Sequence, residues 1–327
     1  SVRCGPSAAA GFASVDVVGH RVVHGGEKFS DSVRIDDDVV AAIEACTPLA
    51  PLHNPANLAG INAARARLST VPHIAVFDTA FHQTLSPEAF LYAVPRALHV
   101  ERGMRRYGFH GTSHRYVAER AAAFFGRPLP TLRLVTLHLG NGCSACAIDA
   151  GKSVDTWMGM TPLEGLVMGT RSGDVDAAMA LQLARVDGVD AAERMLNQES
   201  GLLGLSKKSQ DMRDLEKAAS DGDVDADLAI RAFSRRAKKY IGAYAAVLGG
   251  LDAIVFTGGI GENSVRVRRE ICHGLGVLGA LIDERKNERA EKSERDLASM
   301  DSRCRILVIP TDEERAIARD AMRLAFA

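Results

Sequence analysis

The stretch LDAIVFTGGIGEN, residues 251–263, runs from a short apolar segment of β type straight into a turn holding Gly258, Gly259 and Gly261. This is the junction an α/β sheet needs where a strand hands over to a helix. Glycines there let backbone N–H groups approach a ligand and adopt positive φ. Asn263 is placed to cap a following helix, whose N-terminal dipole favours anions. Spacing alone leaves two uses open: a phosphate cradle, or a tight strand–helix turn that simply needs glycine. A second run, LRLVTLHLGNG (132–142), has the same plan, with a helix expected after its loop. In open α/β sheets, phosphates bind at the C-terminal ends of strands.

Working outward, three more β-rich runs end in glycine or proline turns: VDVVGHRVVHGG (15–26), HIAVFDTAFH (73–82) and CRILVIPTDEE (304–314). Helical patterns lie between them, at 39–46, 115–126, 227–250 and 313–326. The alternation predicts α/β architecture with mostly parallel pairing. The charge-rich segment Asp283–Arg303 reads as a surface helix or loop. Two phosphate-binding decoys fail. Gly151-Lys152-Ser153 lacks the glycine that a Walker loop requires at Cys146, and Gly274, Gly276 and Gly279 follow a helical rather than a β pattern.

A chain of 327 residues with 46% hydrophobic content buries a large core, and its length favours two domains. Lys+Arg at 40 balance Asp+Glu at 41, which excludes long-range attraction to nucleic acid or an anionic membrane. No apolar run spans a bilayer, and the first twenty residues carry no secretory pattern. Six cysteines are too sparse for a disulfide scaffold, so the expected compartment is a reducing cytoplasm. Cys143 and Cys146 form a single CxxC; in a strand they point to opposite faces, which suits packed thiols.

Charged residues sit where a core is expected. Arg21 lies inside a β-type run, and Arg171 lies in the Gly-flanked loop MGTRSGDVD (168–176) with Asp174 and Asp176. Either both arginines recognise an oxyanion or both are structural Arg–carboxylate pairs. Asp78 caps a turn or orients a reacting group. Thr311 and Glu314 fit a capping box. Glu313 favours the helix dipole or helps to place Mg²⁺. In MRRYGFHGTSHRY (104–116), His110 and His114 stand four apart without a third metal ligand nearby. Gly108 and Gly111 place His110 in a turn, and Thr112 or Ser113 is expected to cap a helix on which His114 is structural.

Nine blocks together resemble the acetate kinase family, in its order and over nearly the whole chain: HRVVHGGEKFS, PLAPLHNPAN, VFDTAFHQT, RRYGFHGTSHRYV, HLGNG, DTWMGMTPLEGLVMGTRSGDVD, SQDMRDLE, FTGGIGENS and IPTDEERAIARD. The resemblance implies an α/β fold of the acetate and sugar kinase/Hsc70/actin superfamily. Two actin-like (ribonuclease H-like) lobes, with mixed, mostly parallel sheets, flank a cleft. Residues 1–80 with 315–327 would form one lobe and 81–314 the nucleotide-binding lobe. It further implies a cytoplasmic homodimer that transfers phosphate reversibly and in line from ATP to acetate, giving acetyl phosphate and ADP, with Mg²⁺ or Mn²⁺.

By the same resemblance, Arg21 and Arg171 clamp the carboxylate and the migrating phosphoryl group. His110 hydrogen-bonds that group in the transition state, Asp78 orients or links to the metal, and Glu313 places Mg²⁺. Val23, Leu52, Phe109 and Pro162 form the methyl pocket, with His53 beside it. His138, Leu139, Gly140, Asn141 and Gly142 line the phosphate loop. Asp211, Met212 and Arg213, with Gly259, Ile260, Gly261, Glu262 and Asn263, meet the nucleotide. Propionate or butyrate kinases of the family, and a catalytically silent nucleotide-binding relative, are the alternatives. Two departures stand out. The family's opening Ser-rich phosphate loop is not in this sequence, so the chain as written is expected to be weakly active or inactive. Trp157 replaces a small residue, and either reshapes the acyl pocket or has no role there.

Overall fold

The computed structural model describes residues 15–51 and 53–326; Leu52 lies outside them. Its smaller sheet is built on β3 (His73–Phe77), in which every residue is buried. A strand buried on both faces reads as an unbroken apolar run, and IAVF, after His73, is one. β1 (Val18–Val22) pairs with it in parallel and β2 (Val33–Arg34) antiparallel, in the order β1-β3-β2. Ala75 and Phe77 pack with Val22, Val39, Ile43 and Ile61, whereas Ile74 and Val76 pack with Ala321 and Ile317. The period of two along β3 thus faces helices Asp37–Ala45 and Asn54–Arg67 on one side and helix Glu313–Ala325 on the other.

The larger sheet has the order β6-β5-β4-β7-β9-β8. Its centre is β4 (Arg133–Leu139), β7 (Ala253–Thr257) and β9 (Arg305–Val308), all parallel. β5 (Cys143–Asp149), β6 (Lys152–Thr156) and β8 (Arg295–Asp296) are antiparallel additions. Val135, Leu137 and Leu139 face a core shared with the long helix Val224–Leu248; Leu134 faces a second core under helix Gly111–Phe125. Cys143 joins the first core and Cys146 the second, so the CxxC thiols do lie on opposite faces. The five described cysteines are free, and burial pushes Cys143 up to about 12.

Mixed α/β sheets are as expected, but the pairing is not mostly parallel. Among the described residues three strand pairs are parallel and four antiparallel. For two of the four the cause is turn chemistry. HLGNG does not lead into a helix; Gly140-Asn141-Gly142 is the loop of a β4–β5 hairpin. Ala150 and Gly151 then turn β5 into β6 with φ 50 and φ 80, the two positive values of a tight hairpin. Connections this short can only reverse the chain.

Helix caps also shifted by a residue. TGGIGEN is itself a helical turn, Gly258–Asn263, so Asn263 is not a cap; Ser264 caps the next helix, Val265–Cys272, by accepting from Val267 N. Asp312, not Thr311, caps helix Glu313–Ala325. The 283–303 segment is more than surface: it supplies β8 and the fully buried Leu297 and Ala298. The expected lobe boundaries at 80/81 and 314/315 fall inside the short helix Ala80–Thr84 and inside helix Glu313–Ala325. Among the described residues no helix is long and apolar enough to cross a membrane.

Candidate active site

The parallel strands deliver the candidate residues at their C-terminal ends. β4 and β7 pair His138 with Thr257, so the HLGNG and TGGIGEN loops lie side by side. Gly258, at φ 77, has no room for a side chain, because a Cβ would meet the Leu139 carbonyl oxygen at 2.8 Å. In the smaller sheet, Asp78 follows β3 and its N–H bonds the Val22 carbonyl of β1. Gly111 N donates to the Asp78 carbonyl at 2.8 Å, which brings the start of helix Gly111–Phe125 against this edge.

Arg21 and Asp78 form a bidentate pair, Nε to Oδ1 at 2.9 Å and Nη2 to Oδ2 at 2.7 Å. Asp78 is almost fully buried, whereas the Arg21 side chain is 44% exposed. Glu313 Oε2 stands 3.8 Å from Arg21 Nε, too far for a hydrogen bond, and is buried without a donor. Burial raises the Glu313 carboxyl above its ordinary range, and Arg21 partly offsets that. One of the two structural Arg–carboxylate pairs left open by the sequence is therefore real.

Arg171 differs. Its Nη1 donates to the Pro162 carbonyl at 3.1 Å, and among the described residues it has no carboxylate partner. Asp174 is taken by Arg236, Trp157 Nε1 and Tyr240, and Asp176 caps a helix through Ala178 N. Burial lowers the Arg171 pKa. A half-buried guanidinium with only neutral neighbours is a place for an anion.

His110 sits beside it. Its backbone has φ 54, left-handed for a non-glycine residue, at the entry to helix Gly111–Phe125. No hydroxyl caps that helix; Ser113 instead bonds His138 Nδ1 at 2.8 Å and Thr311 Oγ1 at 2.9 Å. His110 Nδ1 is 2.8 Å from Ser144 Oγ, and its ring stacks on His138 with centroids 4.3 Å apart. Gly142 leaves the space in front open: a Cβ there would lie 3.6 Å from His110 Nε2 and 3.8 Å from Arg171 Nη1. Burial, His138, His114 and the charges of Arg21 and Arg171 all keep His110 neutral, well below its ordinary pKa. Burial and Arg21 hold His138 down to about 4. His114 is fully buried between Thr136 and Ser144.

Of the candidate pocket residues, Pro162 holds Arg171 through its carbonyl. Phe109 is buried in the core against which Val23 packs. Burial and then the Arg171 charge lower the His53 pKa. Trp157 donates to Asp174, packs at a tilt against Tyr240 and accepts from Arg106 through its carbonyl, which commits it to holding the 157–174 segment.

The nucleotide candidates divide. Gly259 and Asn263 are exposed, Ile260 is half-buried and Gly261 is buried. The Glu262 carboxylate is already engaged, accepting from Gly258 N and Thr311 N and so clasping the ends of β7 and β9. Asp211 caps helix Met212–Ser220 and holds Arg213, while the Met212 side chain lies in the core. That helix is tied to the segment after TGGIGEN through Glu216 and Ser264. Asn141 accepts Gly169 N through its carbonyl, joining the hairpin to the Arg171 loop.

Ser144 and Thr136 are not singled out by the sequence, and Ser113 only as a helix cap, which it is not. A signal for Ser144 existed: His138 and Ser144 flank Asn141 symmetrically, so reading GNG as a hairpin pairs them, as the register does.

The acetokinase family profile matches residues 7–319. The acetate kinase of Halothermothrix orenii is 54% identical over 312 residues, 95% of this chain and 78% of that protein. That of Thermotoga maritima is 53% identical over 314 residues, again 95% and 78%. Among solved structures, the acetate kinase of Porphyromonas gingivalis superposes with a TM-score of 0.92 at 46% identity, covering 96% of this chain and 79% of that one. A propionate kinase from Francisella tularensis gives 0.90 at 46% identity, covering 94% and 79%. With its two-sheet α/β architecture and strand-end site, the chain belongs to the acetokinase family.

Proposed function

We propose that this protein is an ATP:acetate phosphotransferase that forms acetyl phosphate and ADP reversibly. The observation that carries the reading is Arg171, a half-buried guanidinium without a carboxylate partner among the described residues, facing a glycine gap beside a neutral histidine. A carboxylate is already a competent nucleophile, so no strong base is required. Its oxygen attacks the γ-phosphorus as the bridging P–O bond to ADP breaks. The difficulty is charge, since two anions must meet in line; positioning and cationic donors do most of the work.

Arg171 and His110 Nε2 would meet the equatorial phosphoryl oxygens. Arg21, held by Asp78, keeps Nη1 available for the acetate carboxylate. His53, Val23, Phe109 and Pro162 would surround the methyl group. His138 and Gly140–Gly142 would line the phosphate track, with Gly259–Asn263 and Asp211–Arg213 on the nucleotide side. Mg²⁺ fits the buried, donorless Oε2 of Glu313, because this ion is commonly held by one or two carboxylates plus substrate phosphates. When bound it would neutralise phosphate charge.

Propionate is the second reading, favoured by the likeness to a propionate kinase at equal identity. One methylene in an apolar pocket is worth only about 1–3 kcal/mol. Comparing kcat/KM for acetate, propionate and butyrate decides between them; acetate is expected to lead. Binding of MgATP without acetate-dependent turnover in the natural full-length protein would identify a silent relative and refute the proposal.

A further inference from the structure

We infer that Thr136, His114 and Ser144 are positioning residues that fix the proton of His110 on Nε2, the nitrogen turned to Gly142 and Arg171. The four side chains form one line between the even face of the β4–β5 hairpin and helix Gly111–Phe125. Thr136 Oγ1 is 2.7 Å from His114 Nδ1, His114 Nε2 is 2.7 Å from Ser144 Oγ, and Ser144 Oγ is 2.8 Å from His110 Nδ1.

A hydroxyl carries one proton, and a neutral imidazole one donor and one acceptor, so the line can point in only two directions. If Thr136 donates to His114 Nδ1, then His114 Nε2–H donates to Ser144. Ser144 donates to His110 Nδ1, and the His110 proton is on Nε2. Reversed, His110 Nδ1–H donates inward, every member turns round, and the Thr136 hydroxyl proton is left over. Thr136 is fully buried and has no second partner among the described residues. A buried donor without an acceptor is costly, so the closed end of the line selects the first direction. The imidazoles are neutral, since burial holds both His110 and His114 well below their ordinary pKa. A neutral His110 meets an anion with a proton only as the Nε2–H tautomer; the other form would present a lone pair.

This inference rests on the proposal that His110 serves the phosphoryl group, but its first test does not. In the full chain labelled with ¹⁵N-histidine, and assigned against His110→Ala, the His110 Nε2 is expected to be protonated and Nδ1 bare. A proton on Nδ1 overturns the inference without any variant. Thr136→Val removes the terminal donor at nearly constant shape. It should mix the two tautomers and lower kcat about tenfold, with both KM values within about twofold. Thr136→Ser should restore tautomer and rate together. Unchanged tautomer and kcat in a folded Thr136→Val protein would overturn the inference; if that variant does not fold, the unsubstituted protein and Thr136→Ser decide. An Nε2–H signal with undiminished kcat in His110→Ala would support the positioning line and refute the role given to His110.

Discussion

Arg21 and Arg171 belong to one site yet have opposite surroundings. Arg21 is more exposed and leans on a buried carboxylate, with two hydrogen bonds to Asp78. Arg171 is half-buried and, among the described residues, has only the Pro162 carbonyl and a methionine sulfur. The contrast separates two tasks. A paired arginine is held in place and gives up part of its charge. An unpaired one keeps its full charge for an incoming anion, at the expense of stability in the free protein. A dianionic phosphoryl group needs the second kind more than a monoanionic carboxylate does.

The sharpest way to break this comparison is Arg171→Ala. Loss of a preorganised donor to developing charge should lower kcat about 10²- to 10³-fold. Acetate-dependent ADP formation measures it. A kcat within about threefold of the unsubstituted enzyme would remove Arg171 from the chemistry.

Stability should move the other way round. Arg21→Ala leaves Asp78, whose side chain is 2% exposed, without its partner. Stripping one member of a fully buried pair costs about 3–5 kcal/mol; since Arg21 is itself partly solvated, about 2 kcal/mol is expected. Arg171→Ala breaks no ion pair and should leave the urea midpoint unchanged or raised. Greater destabilisation by Arg171→Ala would reverse the assignment of the two roles.

A gentler probe is inorganic phosphate. At ten times its Kd, a ligand specific for the folded state stabilises by about 1.4 kcal/mol, roughly 2–4 °C in Tm. The shift should survive, weakened, in Arg21→Ala and vanish in Arg171→Ala. Equal shifts in both variants would mean that phosphate reads net charge and not this site.

Much of this contrast is legible in the sequence. Both arginines stood out as charges in glycine-rich or apolar settings, and five strands followed from apolar runs punctuated by glycine. What stayed hidden depended on partners far away in sequence. β5 and β6 (CSACAID and KSVDT) are small or polar; β5 is buried, and β6 at Ser153 and Thr156, because elements from elsewhere cover them. The capping residues went astray by one position because neighbouring Asn263 and Ser264, or Thr311 and Asp312, are equally good cap chemistry. Thr311 was then spent on Ser113, 198 residues away. That Asp78, and not Asp174, would pair with an arginine of the site is likewise a fact of topology: β1 and β3 run in parallel and end together.

The smallest effect tests the electrostatics directly, through His53. Burial and then Arg171 lower its pKa, Asp78 acts against them, and Arg21 adds a weaker lowering. A cation disfavours the imidazolium and a carboxylate favours it, so the signs follow. Arg171→Ala removes a lowering influence, and the His53 titration should move up in pH. Asp78→Asn removes the raising influence and leaves Arg21 unneutralised, so it should move down. Proton NMR of the His53 ring across pH 4–8 reads both. Opposite displacements would mean that this imidazole senses one free and one compensated guanidinium. If Arg171→Ala left His53 where it was, the Arg171 charge would be too far from the acetate pocket to neutralise anything bound there, and its part in bringing the two anions together would have to pass to Arg21.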